Sequence, residues 1–124
     1  MSNSVDDYEQ FIDARLADPN RAEVRAWLGG HSDEYFINLG ELESNEASLQ
    51  LVNRFYDAGA IEVVAVEIDK YEGEGENTGK LVVVLPEDRQ QRTKILDLCS
   101  DIAQEQGFDR LDDFGQRRVF VMLD

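Results

Sequence analysis

Carboxylates are the reactive side chains this chain supplies most freely, and two groupings stand out by spacing. In the stretch Ile61–Ile68 (IEVVAVEI), Glu67 follows four apolar residues. Glu67, Asp69 and Tyr71 alternate, so an extended strand would carry all three to one side. A carboxyl held in apolar surroundings has a raised pKa and can act as a general acid or base. These three are the catalytic candidates, with residues 69–79 as a lid. The plainer reading is a strand end emerging into solvent. Asp97, Asp101 and Glu105 recur at i, i+4 and i+8, which is one stripe of a helix. Three carboxylates on one face could hold a divalent cation, weakly if exposed, and are the metal candidates. The plainer reading is a solvated acidic face. Nothing else in the chain suggests a metal site, and no cofactor is expected.

Other chemistry finds little support. His31 is the only histidine and lies in the linker Gly29-Gly30-His31-Ser32-Asp33. A catalytic imidazole needs an orienting acid and a cleft, and Asp33 two residues away supplies neither by itself. Cys99 is the only cysteine. It falls in the apolar stripe of a helix, where a thiol behaves as a small hydrophobe. An internal disulfide is therefore excluded, and a structural zinc site is not expected. The glycines of 69–79 (DKYEGEGENTG) read G-x-G-x-x-x-G, with Glu72, Glu74 and Glu76 set to repel phosphate and Leu81 where a P-loop needs Ser or Thr. Tyr71 and Gly73 replace two calcium ligands of an EF-hand loop. Asp113-Phe114-Gly115 spells a kinase tripeptide in a chain too short to be a kinase. Arg89, Arg92 and Lys94, and then Arg110, Arg117 and Arg118, could form an anion patch. Balancing the surrounding acids is the simpler role.

The surplus of acid is large. The 124 residues carry 27 acidic and 12 basic side chains, a formal charge of −15 spread along the whole length. Such a field repels nucleic-acid backbones and anionic membrane surfaces, so neither is an expected partner. It suits a solvated surface, or a basic protein partner drawn in electrostatically. No apolar run approaches the ~18 residues of a membrane span. The first twenty residues lack the basic start and apolar stretch of a secretory signal. A cytoplasmic location is the expectation.

The elements that must position these groups follow from hydropathy period and capping. Residues 1–30 read as an N-terminal extension of two short helices. The first carries Val5, Tyr8, Phe11, Ile12 and Leu16 at helical spacing. The second is opened by Asp18-Pro19 and runs through Val24, Trp27 and Leu28 to Gly29-Gly30. From residue 34 the pattern becomes strand (Tyr35 to Gly40), helix 45–58 with Ser44 as N-cap, strand 61–68, acidic loop 69–79, strand 80–85, helix 87–106 and strand 117–123. Phe108, Leu111 and Phe114 are the expected anchors of the segment between the last two. The order β-α-β-β-α-β over 34–124 is the ferredoxin-like α+β arrangement, with two helices on one face of a four-stranded antiparallel sheet. Lys80–Leu85 is apolar toward both faces. The second face must then be covered, either by the N-terminal helices or by a second copy of the chain.

The layout is similar to that of ferredoxin-like domains, among them the ACT-type amino-acid sensors. Those bind ligands at a turn after the first strand, here Gly40-Glu41-Leu42-Glu43-Ser44. It is also similar to RNA-binding RRM domains, whose central-strand aromatics the strand Lys80–Leu85 lacks. The expected function is a non-catalytic binding or protein-interaction module, self-associating or engaging a protein partner. A small-ligand sensor with its ligand at a subunit interface is the alternative. A small carboxylate-dependent enzyme comes after it.

Overall fold

The structure, a computed structural model, describes residues 4–123. Residues 1–3 of the expected extension and residue 124 of the expected domain lie outside the described residues. Its centre is one long antiparallel hairpin made of four short strands. β3 (Glu62–Ala65) pairs with β6 (Lys80–Val84), and β4 (Asp69–Tyr71) pairs with β5 (Gly75–Thr78). The register is unbroken from Glu62 opposite Val84 to Tyr71 opposite Gly75. Between the two halves the chain kinks at Glu67, which adopts a left-handed φ of 51°. The Thr78 hydroxyl spans the kink, donating to the Val66 carbonyl (2.7 Å) and accepting from Lys80 N–H (3.1 Å).

The free side of residues 75–84 takes two different neighbours. β7 (Arg118–Met122) runs antiparallel to β6, and β2 (Phe36–Leu39) runs parallel to β5. A two-residue strand, β1 (Ala22–Glu23), covers the outer edge of β3. The result is a four-stranded antiparallel sheet, β1-β3-β6-β7, and a three-stranded sheet, β2-β5-β4. The protein is thus a mixed α+β fold.

Here the structure departs from the ferredoxin-like expectation. That arrangement would insert residues 36–39 into the four-stranded sheet. Instead β6 and β7 pair directly over five residue pairs, from Lys80–Met122 to Val84–Arg118. This leaves β2 only the β5 extension as a partner. The segment 69–79, expected as a loop, is accordingly mostly strand. Gly75 makes the parallel pairing possible, because a Cβ there would lie 1.9 Å from the Phe36 carbonyl oxygen.

Alternation along the strands divides the apolar residues between two cores. Val63, Ala65, Leu81, Val83, Val119 and Val121 join a large core with α2 (Val24–Leu28), α3 (Asn45–Asp57) and α4 (Arg89–Glu105). Val64, Val66 and Val82 face the other way, onto Ile12 of α1 (Ser4–Leu16), with Tyr8, Leu16 and Phe120 around them. The N-terminal extension therefore does cover the second face, but through α1 alone. α2 belongs to the large core, where Trp27 and Leu28 are buried.

Capping shows why the helices start where they do. Ser44 accepts from Ala47 N–H and Asp88 from Gln91 N–H, each satisfying a donor of the first turn. Asp18 does not open α2. Its side chain instead closes a turn on Asn20 N–H, and Glu23 caps α2 by accepting from Ala26 N–H. The chain between them bends at residues 19–20 and then pairs with β3 at Ala22–Glu23, with Ile68 N–H donating to the Asn20 carbonyl just beyond. Of the three expected anchors, Leu111 packs on the large core, whereas Phe108 and Phe114 stay exposed.

α1 is held at the open edge of β7 by polar contacts. The Tyr8 hydroxyl accepts from Phe120 N–H (2.7 Å). Glu9 accepts from Arg117 N–H and pairs with the Arg118 guanidinium (2.7 Å), which also reaches Asp13. Ile12→Ala should lower unfolding stability by about 3 kcal/mol in urea titration, since Ile12 is fully buried beneath the sheet. Gly75→Ala should cost about 2 kcal/mol or more by the same assay, because the new methyl must push β2 away from β5.

Candidate binding groove

α3 and α4 lie on the same side of the four-stranded sheet with a groove between them. Its wider end is a cavity of about 550 Å³. Leu42, Leu51, Leu98, Ile102 and Leu123 give it an apolar floor. Glu41, Asp101 and Glu105 stand on its rim, with Arg54 of α3 among them. The groove continues past Arg54, Leu98 and Asp101 into a second depression of about 420 Å³, bounded by Asp57, Lys94 and Asp97. The amphipathic pattern of each helix builds this surface. Val52 and Phe55 of α3, and Ile95, Cys99 and Ile102 of α4, point into the core. Leu51 and Leu98, one position away from that stripe in each helix, are left half-buried at the groove.

The metal candidates Asp97, Asp101 and Glu105 all meet this groove, and an arginine shares their face. Arg110 contacts Asp101 at 2.9 Å and Asp97 at 3.5 Å, and it also donates to the Gln104 side chain. The stripe is thus partly neutralised by a residue thirteen positions further on. Among the described residues, no group of three or more His, Cys, Asp or Glu side chains is arranged to hold a metal ion.

The catalytic candidates are placed differently. The left-handed backbone at Glu67 interrupts the alternation that would carry Glu67, Asp69 and Tyr71 to one side. Glu67 turns to Lys80 (3.5 Å) and Arg15 (3.7 Å). Asp69 and Tyr71 lie beyond the kink on β4, exposed, opposite Asn77 and Gly75. Tyr71 is over half exposed. His31 is occupied by the backbone: its Nδ1 accepts from Ile37 N–H at 2.9 Å. Cys99 is buried in the large core, and burial pushes its thiol up to about 12.

Three of the arginines singled out by the sequence, Arg92, Arg110 and Arg118, are spent on carboxylates. Arg92 pairs with Asp113 at 2.6 Å, and its hydrogen bonds hold that carboxyl below the usual range. Arg110 takes Asp97 and Asp101, and Arg118 takes Glu9 and Asp13. No anion-binding cluster results from these three.

Behind the groove, a polar set joins α2 to α3. Tyr56 donates a short hydrogen bond to Glu23 and accepts from Val63 N–H, with Arg25 lying 4.0 Å over its ring. Burial and the Glu23 bond push the Tyr56 hydroxyl up to about 12. Burial works against the Glu23 carboxylate, but hydrogen bonds from Tyr56 and the α2 N–H groups outweigh it and hold that carboxyl below its ordinary value.

Arg54 and the apolar floor were not singled out by sequence reasoning. The available signal was the pair of half-buried leucines, Leu51 and Leu98, each beside its helix's core stripe. No family model, no curated protein and no solved structure matches this chain.

Tyr56 and Cys99 hold their protons more tightly folded than unfolded. Their contribution is therefore complete below about pH 9, the ordinary thiol range, and is withdrawn as pH climbs through about 12. Urea midpoints should hold from about pH 8 to about pH 9 and fall from there to about pH 11. The fall should flatten in a Tyr56→Phe, Cys99→Ala variant.

Proposed function

We infer that the protein is a non-catalytic interaction module, and that its α3–α4 groove receives a basic amphipathic segment of a partner protein. The observation that carries this reading is the groove's composition: a leucine-rich floor between rims that bear five carboxylates, Glu41, Asp57, Asp97, Asp101 and Glu105, against Arg54, Lys94 and the Arg110 that pairs with Asp97 and Asp101. Apolar floor with charged rim is the pattern by which grooves take an amphipathic helix. The net charge of −15 adds long-range attraction for a basic partner. Self-association fits less well. The sheet face on which it was expected lies under α1, and two copies would bring like-charged rims together.

A small-ligand reading is supported by one feature. The wider cavity, at about 550 Å³, falls in the usual range for small-molecule sites, and it sets the Arg54 guanidinium among carboxylates.

A synthetic helix with leucines on one face and lysines on the other is a suitable probe. Amide chemical shifts should move at Leu51, Leu98 and Ile102, and binding should weaken as salt is raised. Leu98→Asp, on a half-buried helix position, should weaken it about tenfold or more. Binding that ignores Leu98→Asp, or shifts confined to other surfaces, would overturn the reading. Native mass spectrometry of the purified chain separates the small-ligand alternative by the mass of any retained compound.

A further inference from the structure

The three-stranded sheet carries a second, unrelated surface. Register puts Phe36 and Tyr71 on either side of Gly75, in one row across β2, β5 and β4. The two aromatic residues are 56% and 52% exposed. Between them the sheet has no side chain, and the gap is the centre of a depression of about 230 Å³. Asn38 and Asn77 floor its far end, and Glu74 stands at its mouth. Glycine is enforced at position 75 by the approach of β2, so the gap is a fixed product of the strand pairing. Phe36 is braced from behind by the His31 ring, 5.5 Å away, and His31 is itself held by the Ile37 amide.

Two exposed rings across a bare floor form a place where a flat or compact group can lie against π-faces. The charge around them selects which group. Glu74 lines the depression, and Asp69 and Glu72 are exposed on the chain flanking Tyr71. Lys70 sits one residue off the row, paired with Glu76 in the register that faces the opposite side of the sheet. On that opposite side Glu76 is engaged by Trp27 (3.2 Å) and Tyr35 (2.7 Å). Aromatic faces attract cations through their quadrupole, and carboxylates at the rim add to that attraction. An anion is repelled by this rim, and a cation gains from both the rings and the carboxylates.

We propose that the Phe36–Gly75–Tyr71 row is a docking site for a cationic side chain, arginine or lysine, of a partner polypeptide. The occupant is a side chain in a chain segment because β4, an exposed edge strand of this sheet, runs alongside the depression and offers its outer side for an extended segment to follow, whereas the outer side of β2 is taken by His31, Asn45 and Ser48. This site lies on different residues from the α3–α4 groove and does not depend on it.

The test uses the whole chain with labelled aromatic side chains, and an acetylated, amidated tripeptide of arginine flanked by glycines. The matched probes are the same tripeptide with citrulline, which keeps the shape and loses the charge, and tetramethylammonium. The arginine peptide should shift the Phe36 and Tyr71 ring resonances saturably. The citrulline peptide should bind at least about tenfold more weakly. Tyr71→Ala should weaken the arginine peptide by a similar factor, and Glu74→Gln by about threefold. Both residues are exposed, so an unchanged melting temperature shows the fold is intact. Equal binding of arginine and citrulline peptides would overturn the proposal, as would arginine binding unaffected by Tyr71→Ala. Tetramethylammonium binding the row more tightly than the peptide would overturn the polypeptide source in favour of a free organic cation.

Discussion

Everything in this fold hangs on the strand formed by residues 75–84, which has one side for β3 and β4 and must share its other side between β7 and β2. A strand edge has a fixed number of hydrogen-bonding groups, and here two segments of opposite direction divide it. The division occurs around Gly79, next to the kink at Glu67 on the facing strand. Turning the hairpin at that point lets the two halves belong to two sheets without losing register. Both surfaces with binding character descend from this. The α3–α4 groove lies over the half that pairs with β7, and the aromatic row lies on the half that pairs with β2.

The chain's acidity is handled by spending scarce arginines singly. Arg118 fixes α1 to β7, Arg92 fixes the 108–116 segment to α4, and Arg110 holds two carboxylates of the α4 stripe. The exposed Arg110 pairs contribute little, whereas Arg118 and Glu9 are largely buried and Arg92 reaches Asp113 through two hydrogen bonds. Their value is positional, since each ties α1 or the 108–116 segment to an element of the large core. Some of the remaining carboxylates, Glu41, Glu105 and Glu74 among them, lie on the two candidate surfaces.

Local signals in the sequence carried far and long-range ones did not. Helices 45–58 and 87–106 were legible because a capping residue and a 3.6 period agree there, and the structure places them at Asn45–Asp57 and Arg89–Glu105. Ser44 caps as its position suggests. Strands 61–68, 80–85 and 117–123 were legible from their β-branched runs. Which strand neighbours which was not, because period and propensity say nothing of partners. Residues 75–78 (GENT) have poor strand propensity and are strand only through β2 and β4. The asymmetry at Gly75 was invisible for the same reason: its role is to a backbone 39 positions away. Of the site residues, the acidic stripe on α4 was legible as a helical period. The positive φ at Glu67, which separates it from Asp69 and Tyr71, had no local signature in a residue that is not glycine, asparagine or aspartate.

The contact between α1 and β7 also has a consequence in time. Glu9 and Arg118 are 109 residues apart in the chain, and Tyr8 reaches Phe120 across a similar span. On the ribosome, α1 lacks its polar clamp until a strand made more than a hundred residues later has emerged. Until then α1 can lie against Val64, Val66 and Val82 but is not fastened there, and fixing that face is a late event that no local propensity can hasten.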